Sequence, residues 1–123
     1  MKKKGVTLLE LVVVVVIISI LASLTYPAYR RIVSRSRESE GWVLLAAIRS
    51  SELRYYSENE EQFIIILPQL DIDTTSTPFF TYTARQTTVR DFTAVATPRA
   101  ACGGCRKLCL DHAGTKGEAG ACP

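Results

Sequence analysis

A chain of 123 residues has room for one domain at most, and its first quarter is apolar enough to be committed to a membrane. The formal charge is +3, but Lys2, Lys3 and Lys4 account for all of it; the remainder carries 12 basic and 12 acidic side chains. That balance excludes an electrostatic case for nucleic acid as the main ligand, and no phosphate-binding glycine loop is present.

The three lysines and Gly5 lead into "VTLLELVVVVVIISILASLTY", the 21 residues Val6–Tyr26, closed by Pro27. As a helix this run measures about 31 Å at roughly 1.5 Å per residue, which matches a hydrocarbon core of about 30 Å. Five consecutive valines favour strand in water, but a lone segment in lipid satisfies its backbone only as a helix. The lysines read as a cytoplasmic anchor, an inference weakened by Arg30, Arg31, Arg35 and Arg37 beyond the span. A cleavable secretory signal with small residues at Ala22 and Ser23 is the competing reading, but the run is longer than the usual apolar region of such signals. One residue fits neither anchor nor signal. Glu10 places a carboxylate inside the run, a cost of roughly 2.5–3.5 kcal/mol at a bilayer centre.

A helical pattern continues from Ala28 to Asn59. Ile32, Ser36, Ser39, Val43, Ala46, Ser50 and Leu53 recur at steps of three and four, and this stripe of small and apolar side chains is the expected buried face. Arg35 with Glu38, Arg49 with Glu52, and Arg54 with Glu58 are expected as pairs on the solvated side. Pro27 lacks an amide donor and should loosen the join between the two halves.

After Asn59 the period changes. "EEQFIIILPQL" is broken by Pro68, and "DIDTTSTP" reads as a turn-forming linker. In "FFTYTARQT" and "DFTAVATP", Phe80, Tyr82 and Ala84, then Phe92, Ala94 and Ala96, alternate as half-buried strands do. "KLCLDHAGTKG" adds a third strand with Leu108 and Leu110 inward and a turn at Ala113 and Gly114. An antiparallel sheet with one apolar face needs a cover, and the second helical stretch is the only long candidate. The expected fold class is α+β, a long N-terminal helix packed against a small antiparallel sheet.

Other candidates are weaker. His112 is the only histidine, and Asp111 beside it points to the opposite face of a strand, so no nucleophile–histidine–acid arrangement is visible. Asp71 and Asp73 alternate in a loop that could help hold calcium, but two carboxylates are too few to claim it. The four cysteines, Cys102, Cys105, Cys109 and Cys122, allow three pairings that the residues alone leave open. A metal centre or a CxxC redox centre is the alternative use. Their spacing lacks a paired CxxC motif, and no βαβ pattern precedes "CGGC".

The basic leader, Gly5, the run "TLLELVVVVVIISILA" with Glu10, and the closing Pro27 together resemble the class III signal of type IV pilins and type II secretion pseudopilins. "AAIRSSELRYYSEN" is similar to the pilin helix before its αβ-loop, and "FTAVATP" and "CLDHAGTKG" resemble pilin sheet strands more loosely. The chain departs from the family at Val6, where Phe is usual, and at Ser19, where Gly is frequent. The resemblance implies a leader at 1–5, a membrane and filament-core helix at 6–27, its amphipathic continuation at 28–59, an αβ-loop at 60–78 and a disulfide-bonded sheet region at 79–123. It implies cleavage after Gly5 by a prepilin peptidase and methylation of the Val6 amine. It gives Glu10 and Pro27 roles in filament assembly, with Glu10 meeting the Val6 amine of a neighbouring subunit. It also implies Cys109–Cys122, with Cys102–Cys105 as an accompanying pair that departs from the simplest family pattern. The implied partners are copies of itself or other pilins, the peptidase, an inner-membrane assembly platform and, before assembly, membrane lipid. The implied location is the inner membrane and then a surface fibre, or the periplasm for a pseudopilin. No catalytic residue, metal or cofactor is implied.

Overall fold

A computed structural model of the chain describes residues 5–64, 66–75, 77–86, 88, 90–118 and 122. The chain divides into two compact units, Met1–Val33 and Ser34–Pro123, each described here by itself. One helix, α1, spans Leu8–Glu58.

In the first unit every described residue from 5 to 32 is exposed. The helix meets the length and composition needed to cross a membrane, and it continues through Pro27 rather than ending there. Three hydroxyls within the span are satisfied inside the helix. Ser19 Oγ donates to the Val15 carbonyl at 2.7 Å, Ser23 Oγ to Ile20 at 2.7 Å and Thr25 Oγ1 to Leu21 at 3.1 Å. Polar groups bonded back to their own helix can enter lipid without leaving donors unpaired.

In the second unit, the head, α1 packs on a four-stranded antiparallel sheet of order β1-β2-β3-β4. The strands are β1 (Phe80–Arg85), β2 (Thr93–Pro98), β3 (Leu108–Asp111) and β4 (Lys116–Glu118). Tyr82 faces Ala96 across β1 and β2, and Ala94 faces Leu110 across β2 and β3. The alternation of Phe80 and Tyr82, of Phe92, Ala94 and Ala96, and of Leu108 and Leu110 supplies the buried face of the sheet. β4 is an addition to the three strands expected from sequence. The chain reverses through Gly114 at φ +91°, whose amide donates to the Asp111 carbonyl at 3.0 Å. Thr115 N–H then donates to Asp111 Oδ1 at 2.7 Å, which aligns Lys116 opposite Leu110.

The helix face against the sheet is not the expected stripe. The buried positions are Glu38, Gly41, Leu45, Ile48 and Glu52, whereas Ser36, Ser39, Val43, Ala46, Ser50 and Leu53 are exposed. Gly41 explains the choice. A Cβ there would lie 3.0 Å from Leu108 Cδ1 and 3.2 Å from Phe80 Cε2, so the sheet approaches the helix where a side chain is missing. The two glutamates are also paired differently from the expectation. Glu38 Oε1 accepts from the Arg106 amide at 2.9 Å and Glu38 Oε2 from Arg106 Nη2 at 3.2 Å, while Glu52 Oε2 accepts from the Ile64 amide at 3.1 Å. Arg49 is drawn to the His112 carbonyl at 3.1 Å instead of Glu52. Buried carboxylates need such partners, and the loop after α1 and the segment before β3 supply them.

α1 ends at Glu58, followed by Glu60 and Glu61 at φ +52° and +56°. The loop beyond returns aromatic weight to the core. Phe63 stacks on Tyr56 at 4.4 Å between ring centroids and meets Phe92 at 4.8 Å.

Candidate processing and assembly segment

Residues 5–7 precede α1 in non-helical backbone. Gly5 is exposed, and a Cβ built on it would meet nothing within 4 Å. Val6 is 71% exposed. A peptidase needs an accessible, extendable bond, and Gly5–Val6 has both properties. Lys2, Lys3 and Lys4 lie outside the described residues.

Thr7 is the residue that sequence reasoning missed. Its Oγ1 accepts the Glu10 amide at 3.2 Å, and its carbonyl accepts the Leu11 amide at 3.2 Å. Thr7 therefore caps α1, and Thr7-Leu8-Leu9-Glu10 has the Thr-x-x-Glu spacing of a capping box. That signal was legible in the sequence. The cap places Glu10 in the first turn, where the positive end of the helix favours a carboxylate. Glu10 therefore sits one turn from the Val6 amine that cleavage after Gly5 would create. Pro27 lies far along the same helix and does not touch this start.

The cysteines are in the second unit and form two disulfides, Cys102–Cys105 and Cys109–Cys122. Cys109 is central in β3, paired with Val95 on one side and Gly117 on the other, so its bridge ties the chain beyond β4 to the middle of the sheet. Cys102 ends a short 3-10 turn, Ala100–Cys102.

The remaining polar candidates are occupied by local structure. His112 Nδ1 lies 3.6 Å from Asp91 Oδ1, and Asp111 is held by the Thr115 amide. Asp73 Oδ1 accepts from both the amide and the hydroxyl of Thr75, at 2.8 and 2.7 Å. Asp71 and Asp73 do not form a cation cage with any third acidic, His or Cys side chain among the described residues.

Residues 1–26 match the prokaryotic N-terminal methylation motif. Fimbrial protein EcpC of Eikenella corrodens is 43% identical over 56 residues, 46% of this chain and 37% of that protein. The chain thus spans little more than a third of that relative's length. In structure, a type IV pilin from Shewanella oneidensis aligns with a TM-score of 0.56 at 21% identity, covering 73% of this chain and 97% of that one. The minor pilin PilV of Neisseria meningitidis aligns with a TM-score of 0.59 at 24% identity, covering 73% and 93%. Fold and N-terminal segment together define the class: a type IV pilin fold led by a methylation motif. The family resemblance read from Gly5, Glu10 and Pro27 is the one these comparisons return.

Proposed function

We propose that the chain is a structural subunit of a type IV pilus filament. In this reading a prepilin peptidase cuts after Gly5 and methylates the Val6 amine, and the subunit polymerises through its N-terminal helix. The observation that carries the reading is the first unit itself: an exposed apolar helix, too large to stay bare in water, whose first part lies within the methylation motif. Lipid covers such a surface before assembly and the same helices of other subunits, its own copies or other pilins, cover it afterwards. An inner-membrane platform is needed to move the subunit from the first environment to the second, and the filament then stands at the cell surface. The role is structural rather than enzymatic, supported by relatives named as fimbrial proteins.

Glu10 is the register element. In a bundle that excludes water, its carboxylate meets the Val6 amine of a neighbour, and desolvation cancels much of the attraction, so the pair selects stacking more than it adds stability. The test is intact-mass analysis of the full chain co-expressed with a prepilin peptidase. The expected product begins at Val6 and carries one N-methyl group. A product retaining residues 1–5, or cut near Ala22, refutes the reading.

A further inference from the structure

The Cys102–Cys105 disulfide has no part in the filament reading. We propose that it is a thiol–disulfide exchange site, opened by a dithiol that attacks Cys105 while the sheet and helix around it stay folded. The inference does not depend on filament assembly.

Access is one-sided. Cys102 is completely buried, Cys105 is half-buried, and Gly103 and Gly104 between them are exposed. A Cβ at Gly104 would meet nothing within 4 Å, so an incoming thiolate approaches over the loop. The loop also keeps its shape without the bridge. Gly103 and Gly104 take φ +61° and +105°, a reversal that glycine makes freely. The Cys102 amide donates to the Arg99 carbonyl at 2.9 Å. Arg37 Nη1 donates to the Ala101 and Cys102 carbonyls at 3.1 and 2.7 Å, and its guanidinium rests over the Phe79 ring at 4.6 Å.

The reduced form gains contacts that the bridge cannot use. Cys105 Sγ lies 3.4 Å from the Cys102 carbonyl and 3.8 Å from the Ser34 carbonyl. A thiol can donate to either; a disulfide sulfur has no proton to give. Stabilising the reduced form makes a disulfide more oxidising. Opening also removes little from the fold. The sequence separations are 3 and 13 residues. By loop entropy, losing the shorter bridge shifts the folding equilibrium on the order of sixfold less than losing the longer one.

The step balances as two exchanges. One thiolate of the dithiol attacks Cys105 Sγ, the Sγ–Sγ bond breaks, and the electron pair leaves on Cys102 Sγ, which takes up a proton. The second thiol of the same donor attacks its own sulfur in the mixed disulfide and releases Cys105 as a thiol. The donor is oxidised to a disulfide and the chain is reduced by two electrons and two protons.

The test is a redox titration of the full chain in detergent with reduced and oxidised dithiothreitol, trapped by alkylation and read by peptide mass spectrometry and near-ultraviolet circular dichroism. Cys102–Cys105 should open at a ratio of reduced to oxidised reagent about tenfold lower than Cys109–Cys122, with the dichroism of the head retained. Opening of both bridges in one step, opening of Cys102–Cys105 last, or opening only with loss of the dichroism overturns the proposal. Single variants assign the sulfur. Cys105 in Cys102→Ser should react with a chromogenic disulfide about tenfold faster than Cys102 in Cys105→Ser; the reverse order overturns Cys105 as the point of attack.

Discussion

Glu38 and Glu52 share the buried face of α1 yet are pushed in opposite directions. Burial raises the Glu38 carboxyl, but the Arg106 hydrogen bonds and charge outweigh it and hold the group below the ordinary glutamate value of 4.5. Burial also raises Glu52, and there the single Ile64 amide does not reverse it. Glu52 Oε1 has no hydrogen-bond partner among the described residues. The linkage follows from these directions. Glu38 contributes stability that is present above 4.5 and lost as pH falls through its lowered folded value. Glu52 contributes stability that is present below 4.5 and lost as pH rises through its raised folded value. Glu52→Gln should therefore stabilise the head at pH 7 by about 1–3 kcal/mol, the range for a buried polar group left unpaired, with no gain under acid conditions where both side chains are neutral. Glu38→Gln should do the opposite, destabilising at pH 7 and least in acid. Urea unfolding at the two conditions decides it; a gain for Glu52→Gln that does not shrink in acid refutes the burial argument.

At the scale of elements, the strands were legible and the helix face was not, for one physical reason. The positions of β1, β2 and β3 that face the helix are Phe, Tyr, Ala and Leu, so a period of two marks that face, although Val95 and Cys109 on the opposite face are buried as well. Along α1 the buried set includes Glu38, Gly41 and Glu52, and a reading by hydrophobicity selects the opposite side, where Val43, Ala46 and Leu53 lie. Partners on other elements, Arg106 and Ile64, make those glutamates buriable, and nothing local to the helix announces them. β4 was missed because Lys116-Gly117-Glu118 has no apolar alternation; pairing with β3 alone makes it a strand. Thr7 differs from both, since its capping spacing stood in the sequence. The corrected face has a simple check. Leu45 is fully buried and Val43 is 69% exposed. Leu45→Ala should cost about 2–5 kcal/mol and Val43→Ala less than about 0.5 kcal/mol in denaturant unfolding. Equal losses, or a larger loss at Val43, restore the stripe expected from sequence.

For the whole molecule, the decisive residue is the one that fits an anchor worst. Glu10→Val makes the apolar run a better span, because it removes the only charge between Val6 and Tyr26. It leaves the helix start intact, since Thr7 Oγ1 caps the backbone amide of residue 10 and not its side chain. The sheet and the disulfides lie in the other unit, so folding of the head does not depend on the carboxylate. Cleavage after Gly5 should persist, with the leader unchanged. If Glu10 has the register role proposed above, the substitution removes the partner for a neighbour's Val6 amine in the assembled bundle. A buried charge deprived of its partner costs roughly 3–5 kcal/mol, enough to stop a polymer that grows one subunit at a time. Expressed without a wild-type copy, Glu10→Val should reach normal membrane levels, be processed at Val6, and yield few or no sheared fibres. A simple anchor that merely tolerates Glu10 predicts the reverse, with every readout unchanged or improved. Normal fibre yield from Glu10→Val therefore removes the register role, and processed, membrane-held subunits without fibres place the defect at stacking, after insertion and cleavage are complete.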